Sequence, residues 1–419
     1  MGGSDEGTRF LKTKFIILIG DGMADDPLDS LQGCTPLQAA KTPHLDQLAQ
    51  RGMLGQVQTI PAGFPPGSDV ANLSILGYDP AIYLTGRAPL EAAAMGVKLG
   101  PRDVAFRCNL VTLQIRGNQT FMEDFSAGHI STAEAREIIA AIGRCLGDEE
   151  FSFFAGLSYR HLMVWRNGEK SAGLSTTPPH DISGQNISSY LPRGEGGEKI
   201  RRLMKRAQEF IPQHPVNRAR MQKGKRVANA IWLWGQGKAP SLIPLKGRFG
   251  LEGSVISAVD LIKGIGYYAG LEIVDVPGAT GFLDTNYAGK AEHALREISR
   301  KDFVYLHVEA PDEASHNGSL GDKIRAIEDF DGKIVGPIWD GLTHMKNFRI
   351  LVLPDHRTPI LKKTHSSEAV PFAFYSSHAE VAIPARSFDE VSAQKTGLFV
   401  ERGHELMGEF VESFKSRRA

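Results

Sequence analysis

Three short, largely apolar runs constrain the fold of this chain more than any other feature. They are Phe15 to Ile19, Val304 to Val308 and Arg349 to Leu353, each bounded by turn residues. A strand with one face in water alternates apolar and polar residues, whereas a near-continuous apolar run marks a strand covered on both faces. Between the runs lie amphipathic patterns of helical period: Thr42 to Arg51 with Pro43 at its start, Ala291 to Ser299, and Lys323 to Ile338. Buried strands alternating with helices predict an α/β domain with a doubly wound, mostly parallel sheet.

The middle of the chain has a different texture. From about Asp103 to Gln222, strand-like segments (Asn109 to Ile115, Tyr159 to Trp165) are joined by two helices, Ser131 to Leu146 and Glu198 to Phe210. Loops rich in Pro, Gly and Ser interrupt them, and the buried-strand pattern returns at Ala228 to Trp234. We therefore expect a smaller α+β domain, 103–222, inserted into a discontinuous α/β domain, 1–102 and 223–419. Lys415 to Ala419 are expected to fray.

Composition narrows the partners. The 419 residues carry 48 basic and 48 acidic side chains, and this neutral balance argues against nucleic acid or an anionic membrane as the main partner. Cys34, Cys108 and Cys145 are odd in number and far apart, so they form no disulfide framework or CxxC pair, which fits a reducing compartment. The amino terminus has no apolar signal region, and Glu6 stands where a myristoylation signal needs Ser or Thr. No apolar run approaches the ~20 residues that span a bilayer. A soluble, cytoplasmic protein is expected.

The acids and histidines fall at the ends of the buried runs. Asp21 follows Phe15 to Gly20; Asp312 and His316 follow Val308; Asp355 and His356 follow Leu353; His365 lies shortly beyond. Open α/β sheets bind ligands beyond the carboxyl ends of their strands. A single Asp in such a place is more often a helix cap, and a single His more often has a structural partner, but their repetition reverses those odds. Three carboxylates and three imidazoles without a thiolate suit Mn²⁺, Zn²⁺ or Mg²⁺, and six ligands suit two ions in one cleft, as in phosphoryl transfer. Ser68, in Gly67-Ser68-Asp69, stands where a helix begins. Taken alone it is more often an N-cap, but the same place suits a nucleophile activated by a metal ion beside a helix N-terminus.

These residues resemble the cofactor-independent phosphoglycerate mutases, in particular the archaeal-type branch of the alkaline phosphatase superfamily. The resemblance is carried by Ile19-Gly20-Asp21-Gly22-Met23, Thr35-Pro36-Leu37 to Thr42-Pro43, Gly67-Ser68-Asp69, Pro311-Asp312-Glu313-Ala314-Ser315-His316 and Pro354-Asp355-His356, and runs from about Lys14 to Leu406. It implies an alkaline-phosphatase-like fold and two divalent ions, one held by Asp21, Ser68, Asp355 and His356, the other by Asp312, His316 and His365. It further implies a phosphoserine at Ser68 and an inserted domain that binds substrate and closes over it. No organic cofactor is implied; the partner would be a small phosphorylated metabolite.

The inserted segment departs from the mutases. Glu123-Asp124-Phe125-Ser126-Ala127-Gly128-His129-Ile130 has no Arg where archaeal-type enzymes tend to carry one. Arg160, His161, His180, Asp181, His129 and Asp124 remain as candidate substrate contacts. Bacterial relatives with this kind of insert have been proposed as homoserine kinases, and carboxylates such as Asp124 and Asp181 would suit an amino-acid acceptor with ATP as co-substrate. There is, however, no GxxxxGK[ST] loop for a nucleotide. Phosphoglycerate mutase is the leading expectation and the kinase the alternative; a phosphatase and a non-catalytic metal-binding protein stand behind them. A sulfatase is disfavoured because Ser68 is followed by Asp69-Val70-Ala71, not by the Pro and Arg such enzymes need.

Overall fold

The apolar runs become the centre of an eight-stranded sheet. The structure, a computed structural model, describes residues 12–379 and 387–412. The first eleven residues, read above for targeting signals, and the fraying expected of Lys415 to Ala419 lie outside the described residues. In chain order the strands are β1 (Lys14–Gly20), β2 (Met53–Val57), β3 (Gly253–Ile256), β4 (Glu272–Ile273), β5 (Phe303–Val308), β6 (Phe348–Leu353), β7 (Val370–Ser376) and β8 (Phe399–Val400). They lie side by side as β8-β2-β7-β6-β1-β5-β3-β4. Only β7 runs against the others.

Both faces of the sheet are covered, which is why the central strands read as continuous apolar runs. The helices of this unit used below are α1 (Pro43–Arg51), α2 (Ser68–Ile75), α3 (Tyr287–Arg300), α4 (Ala310–Asn317), α5 (Leu320–Phe330), α6 (Gly336–Thr343) and α7 (Leu406–Glu412). Ile16, Leu18, Val304, Leu306, Ile350 and Val352 share one face and pack into a core with residues of α1, α3 and α6. On the other face the Phe15 and Phe374 rings meet Phe410 of α7 edge-on, at 5.6 and 5.8 Å between centroids. Tyr305 reaches α2 there, donating its hydroxyl to Asn72.

One expected helix is divided. The pattern from Lys323 to Ile338 is split into α5, a π turn at Asp331–Val335, and α6. The cause is Asp331, whose buried carboxylate turns inward to accept the backbone N–H of Leu45 at 2.7 Å and pair with His44 Nδ1 at 2.8 Å. It thereby caps the start of α1, and the extra residue of a π turn lets the helix present it there.

Two compact units divide the chain, Met1–Leu84 with Leu242–Ala419, and Thr85–Ser241. The second is wider than the expected 103–222 at both ends. Its central strand Val104–Arg116 pairs antiparallel with Gln119–Asp124, Arg160–Trp165 and Ala230–Gly237. Phe151–Phe154 pairs on the outer side of Arg160–Trp165. The run at Ala228 to Trp234, read above as the return of the larger domain, therefore completes the smaller sheet. On the other side, Ala88 and Ala92 pack against Ala105, Leu162 and Val164, which draws residues before 103 into the same unit. The helices Thr132–Leu146 and Gly197–Phe210 contribute Ile138, Ile142, Ile200 and Leu203 to its core.

In the first unit a buried ion pair fastens the segment that follows β6. Lys323 and Asp25 are fully buried; Lys323 Nζ donates to Asp25 Oδ2 at 2.6 Å and to the carbonyl of Thr358 at 2.9 Å. Removing one partner of such a pair leaves an uncompensated charge in the interior. Lys323→Met should lower stability by about 3–5 kcal/mol in denaturant unfolding, and adding Asp25→Asn should recover part of that loss.

Candidate metal centre

The sheet order explains how distant acids meet. β6, β1 and β5 are adjacent and parallel, with Ile19 opposite both Leu353 and His307 and Gly20 opposite Val308. Their carboxyl ends therefore lie level. Asp21 leaves β1 with its N–H donated to the carbonyl of Val308 at 3.0 Å. Asp312 and His316 stand one turn apart on α4, so they share a helix face. Asp355 and His356 come just after β6, and a return of the chain, with Ser366 N–H bonded to the Arg357 carbonyl, brings His365 back to them.

Two groups of donors result, Asp312 with His316 and His365, and Asp21 with Asp355 and His356. Within each group one donor atom per residue lies within 4.8 Å of the others. In the first, His316 Nε2 is 3.1 Å from Asp312 Oδ2 and 3.0 Å from His365 Nε2. In the second, His356 Nε2 is 3.5 Å from Asp21 Oδ1 and 3.6 Å from Asp355 Oδ2. The groups adjoin, since the His356 and His365 rings are 4.1 Å apart.

Ser68 is the first residue of α2, with Gly67 at the N-cap, and its Oγ lies 3.1 Å from His356 Nε2. The fully buried amide of Asn72 donates both to the Ser68 carbonyl, at 2.8 Å, and to Asp355 Oδ2, at 2.9 Å. One side chain thus ties the serine backbone to a carboxylate of the second group, and the Tyr305 hydroxyl orients that amide by donating to its oxygen.

The electrostatics fit divalent cations. Burial, then the neighbouring charges of Asp355 and Asp312, push the Asp21 carboxyl well above its usual range. Asp21 Oδ1 is buried without a hydrogen-bond partner. Hydrogen bonding to Asp312 pushes His316 up to about 9. Protons therefore gather where positive charge is wanted. A donor set of carboxylates and imidazoles, with an orphaned buried oxygen among them, matches divalent cations.

Sequence reasoning missed His307. It sits inside β5, where an apolar run hides it, yet its Nε2 lies 3.5 Å from Asp21 Oδ2 and its Nδ1 3.5 Å from Glu309 Oε1. Burial works against its charge, but Asp355 and Glu309 prevail and raise its pKa. Glu309 is in turn paired with the fully buried Lys290 at 2.6 Å.

The candidate substrate contacts all belong to the second unit. Arg160 opens its strand, exposed, with its guanidinium over the Tyr159 ring. His161, next along, is buried; its Nδ1 accepts the Gly156 N–H at 3.0 Å, and burial lowers its pKa to about 3. His180 stacks edge-on against Trp234 and Phe125 and lies 3.4 Å from Asp181. His129 meets the Tyr159 ring. Asp124 is committed elsewhere. It accepts from the Ser126 N–H and hydroxyl, the Gly128 N–H and Arg226, which fills the roughly four lone-pair positions of a carboxylate.

Arg107 and Arg87 were not among the expected contacts. Arg107 is nearly buried, bonded through Nε to Glu91 at 3.0 Å and stacked 4.2 Å from the Trp234 ring centroid. After burial and Glu91, the charges of Arg87 and Arg160 act on it, and Arg107 and Arg87 together help to lower the His180 pKa. Arg87, Arg107 and Arg160 thus lie within electrostatic reach of one another, while His180 is held toward its neutral form. The signal of Arg107 in the sequence was a single Arg inside the apolar strand Val104 to Val111.

Comparison with known proteins converges on one family. A family model described as 2,3-bisphosphoglycerate-independent phosphoglycerate mutase matches residues 49–217. A Geobacter sulfurreducens protein named a probable 2,3-bisphosphoglycerate-independent phosphoglycerate mutase is 54% identical over 394 residues, 94% of this chain and 98% of its own. A Methanosarcina barkeri protein with the same name, without the qualifier, is 52% identical over 404 residues, 96% of this chain and 100% of its own. Among solved structures, the Pyrococcus horikoshii PH0037 protein is similar with a TM-score of 0.81 and 29% identity, covering 98% of this chain and 100% of that one. The cofactor-independent phosphoglycerate mutase of Thermoplasma acidophilum is similar with a TM-score of 0.67 and 27% identity, covering 96% and 100%.

If both groups hold an ion, Asp355→Ala and His316→Ala should each remove about one ion per chain, because a shell of three or four protein ligands is left incomplete. Metal analysis after loading with Mn²⁺ and desalting measures this; full occupancy in both variants would contradict the assignment.

Proposed function

The chain belongs to the family of 2,3-bisphosphoglycerate-independent phosphoglycerate mutases, and from that membership we propose that it interconverts 3- and 2-phosphoglycerate through a phosphoserine at Ser68. The observation that carries the reading is the position of Ser68 Oγ, 3.1 Å from His356 Nε2, with the N-cap of the helix taken by Gly67. A hydroxyl beside the donor groups, outside the N-cap position, supports a role in chemistry.

Asp21, Ser68, Asp355 and His356 would hold one divalent ion, and Asp312, His316 and His365 the other. Bound there, Mn²⁺, Zn²⁺ or Mg²⁺ would supply Lewis-acid stabilisation of phosphoryl oxygens and lower the pKa of the serine hydroxyl. Ser68 Oγ takes the phosphoryl group as the bond from phosphorus to the substrate's 3-oxygen breaks, and the serine proton ends on the released 3-hydroxyl. In the second half-reaction the 2-hydroxyl attacks the phosphoserine, and its proton returns to Ser68. Asn72 keeps the serine backbone and Asp355 in fixed register through both steps.

Glycerate must turn between the two transfers without leaving, which calls for a cationic hold on its carboxylate. Planar guanidinium groups such as those of Arg87, Arg107 and Arg160 would suit that hold, while His180, its pKa lowered by burial, would be neutral. The relatives bring no support to the kinase reading. Asp124, a carboxylate it would use for an ammonium group, has its acceptor positions filled within its own loop and by Arg226.

Ser68→Ala should abolish interconversion and phosphoserine formation while lowering stability by less than the ~1 kcal/mol of a lost N-cap, since Gly67 and not Ser68 is the N-cap residue. Wild-type turnover in this variant would overturn the mechanism. Arg160→Lys should raise the KM for 3-phosphoglycerate about tenfold with little change in melting temperature, because an ammonium cannot reproduce a two-pronged guanidinium contact. Mn²⁺-loaded protein that left 3-phosphoglycerate unchanged but phosphorylated homoserine with ATP would replace the mutase reading with the kinase.

A further inference from the structure

Thr358 lies where the two donor groups meet. It is fully buried, and its backbone is tied on both sides, N–H to the Ala24 carbonyl at 3.1 Å and carbonyl to Lys323 Nζ at 2.9 Å. Its Oγ1 is 2.5 Å from Asp312 Oδ1 in one group and 3.2 Å from His356 Nδ1 in the other. A hydroxyl has one proton to donate and lone pairs to accept with. An ionised ligand carboxylate only accepts, so the threonine proton points to Asp312. The oxygen then faces His356 Nδ1 as an acceptor, and that nitrogen must carry the hydrogen. Nε2 is left with its lone pair, on the side of Ser68 Oγ and Asp21 Oδ1.

We propose that Thr358 is a positioning residue whose single hydroxyl fixes His356 in the Nδ1–H tautomer and couples the two ligand groups. The turn after β1 is shaped around the same contact. Gly22 has φ +59°, and a Cβ there would come within 2.5 Å of Thr358 Oγ1 and 2.6 Å of Asp312 Oδ1. A side chain at 22 would part the hydroxyl from the carboxylate. Nothing in the family name or in the ligand set assigns a role to this threonine; the inference rests on the dimetal reading only for its effect on ion binding.

The test combines the near-isosteric Thr358→Val with Thr358→Ser, which keeps the hydroxyl. Long-range ¹H–¹⁵N NMR of metal-free protein labelled at histidine reports the tautomer, with His356 assigned through His356→Gln. Calorimetry with Mn²⁺ reports affinity and stoichiometry. Expected are Nδ1–H at His356 in wild type and in Thr358→Ser, loss of that preference in Thr358→Val, and Mn²⁺ binding weakened about tenfold to a hundredfold in Thr358→Val alone. An Nε2–H tautomer in wild type, or wild-type affinity for both ions in Thr358→Val, would overturn the proposal. If Thr358→Val does not fold, the wild-type tautomer decides. Wild-type protein binding fewer than two Mn²⁺ would instead sink the dimetal reading, and the metal-free tautomer would still decide the role of Thr358.

Discussion

Like charges crowd the carboxyl ends of three adjacent buried strands, and much of the surrounding structure answers that repulsion. Asp21, Asp355 and Asp312 are each almost wholly buried, where an isolated carboxylate is costly. Four histidines stand among them, and backbone N–H groups and Asn72 donate to Asp355. Even so, Asp21 is pushed up and keeps an orphaned oxygen. The remaining imbalance is the property a site for divalent cations needs.

The same unit holds two other buried charge clusters that are balanced internally, and the contrast is instructive. Asp25 has Lys323, and Glu309 has Lys290 with Ser257 and the Ala258 N–H. Neither calls for a further cation. Both nevertheless border the donor groups: Lys323 through the Thr358 carbonyl, Glu309 through His307. Closed ion pairs thus form the rigid surround of an open one, as expected of sites whose supporting residues hold the reactive ones in place.

How much of this was legible in the sequence depended on whether a residue broke its local pattern. Asp21, Asp355 and His356 follow apolar runs directly and were readable as strand-end residues, and Asp312 with His316 had helical spacing. That β6, β1 and β5 are neighbours was not readable, because adjacency is set by crossover connections that leave no mark in composition. His307 and Arg107 lay inside strands and were absorbed into apolar runs. The strand Ala230–Gly237 was assigned to the wrong side of a boundary for a related reason. A strand buried on both faces has the same composition in either unit, and only its pairing with Val104–Arg116 tells them apart. Thr358 had no signal at all, since a threonine after a strand is ordinary until its hydroxyl is seen between Asp312 and His356.

Net charge shows the limit of composition most clearly. Forty-eight acids against forty-eight bases excluded a basic binding surface for the molecule as a whole, but the balance is not local. The first unit gathers Asp21, Asp312 and Asp355 in its interior, while the second holds Arg87, Arg107 and Arg160. Segregating the charges protects the acids, because an arginine among them would neutralise them by pairing and leave less negative charge to attract an ion.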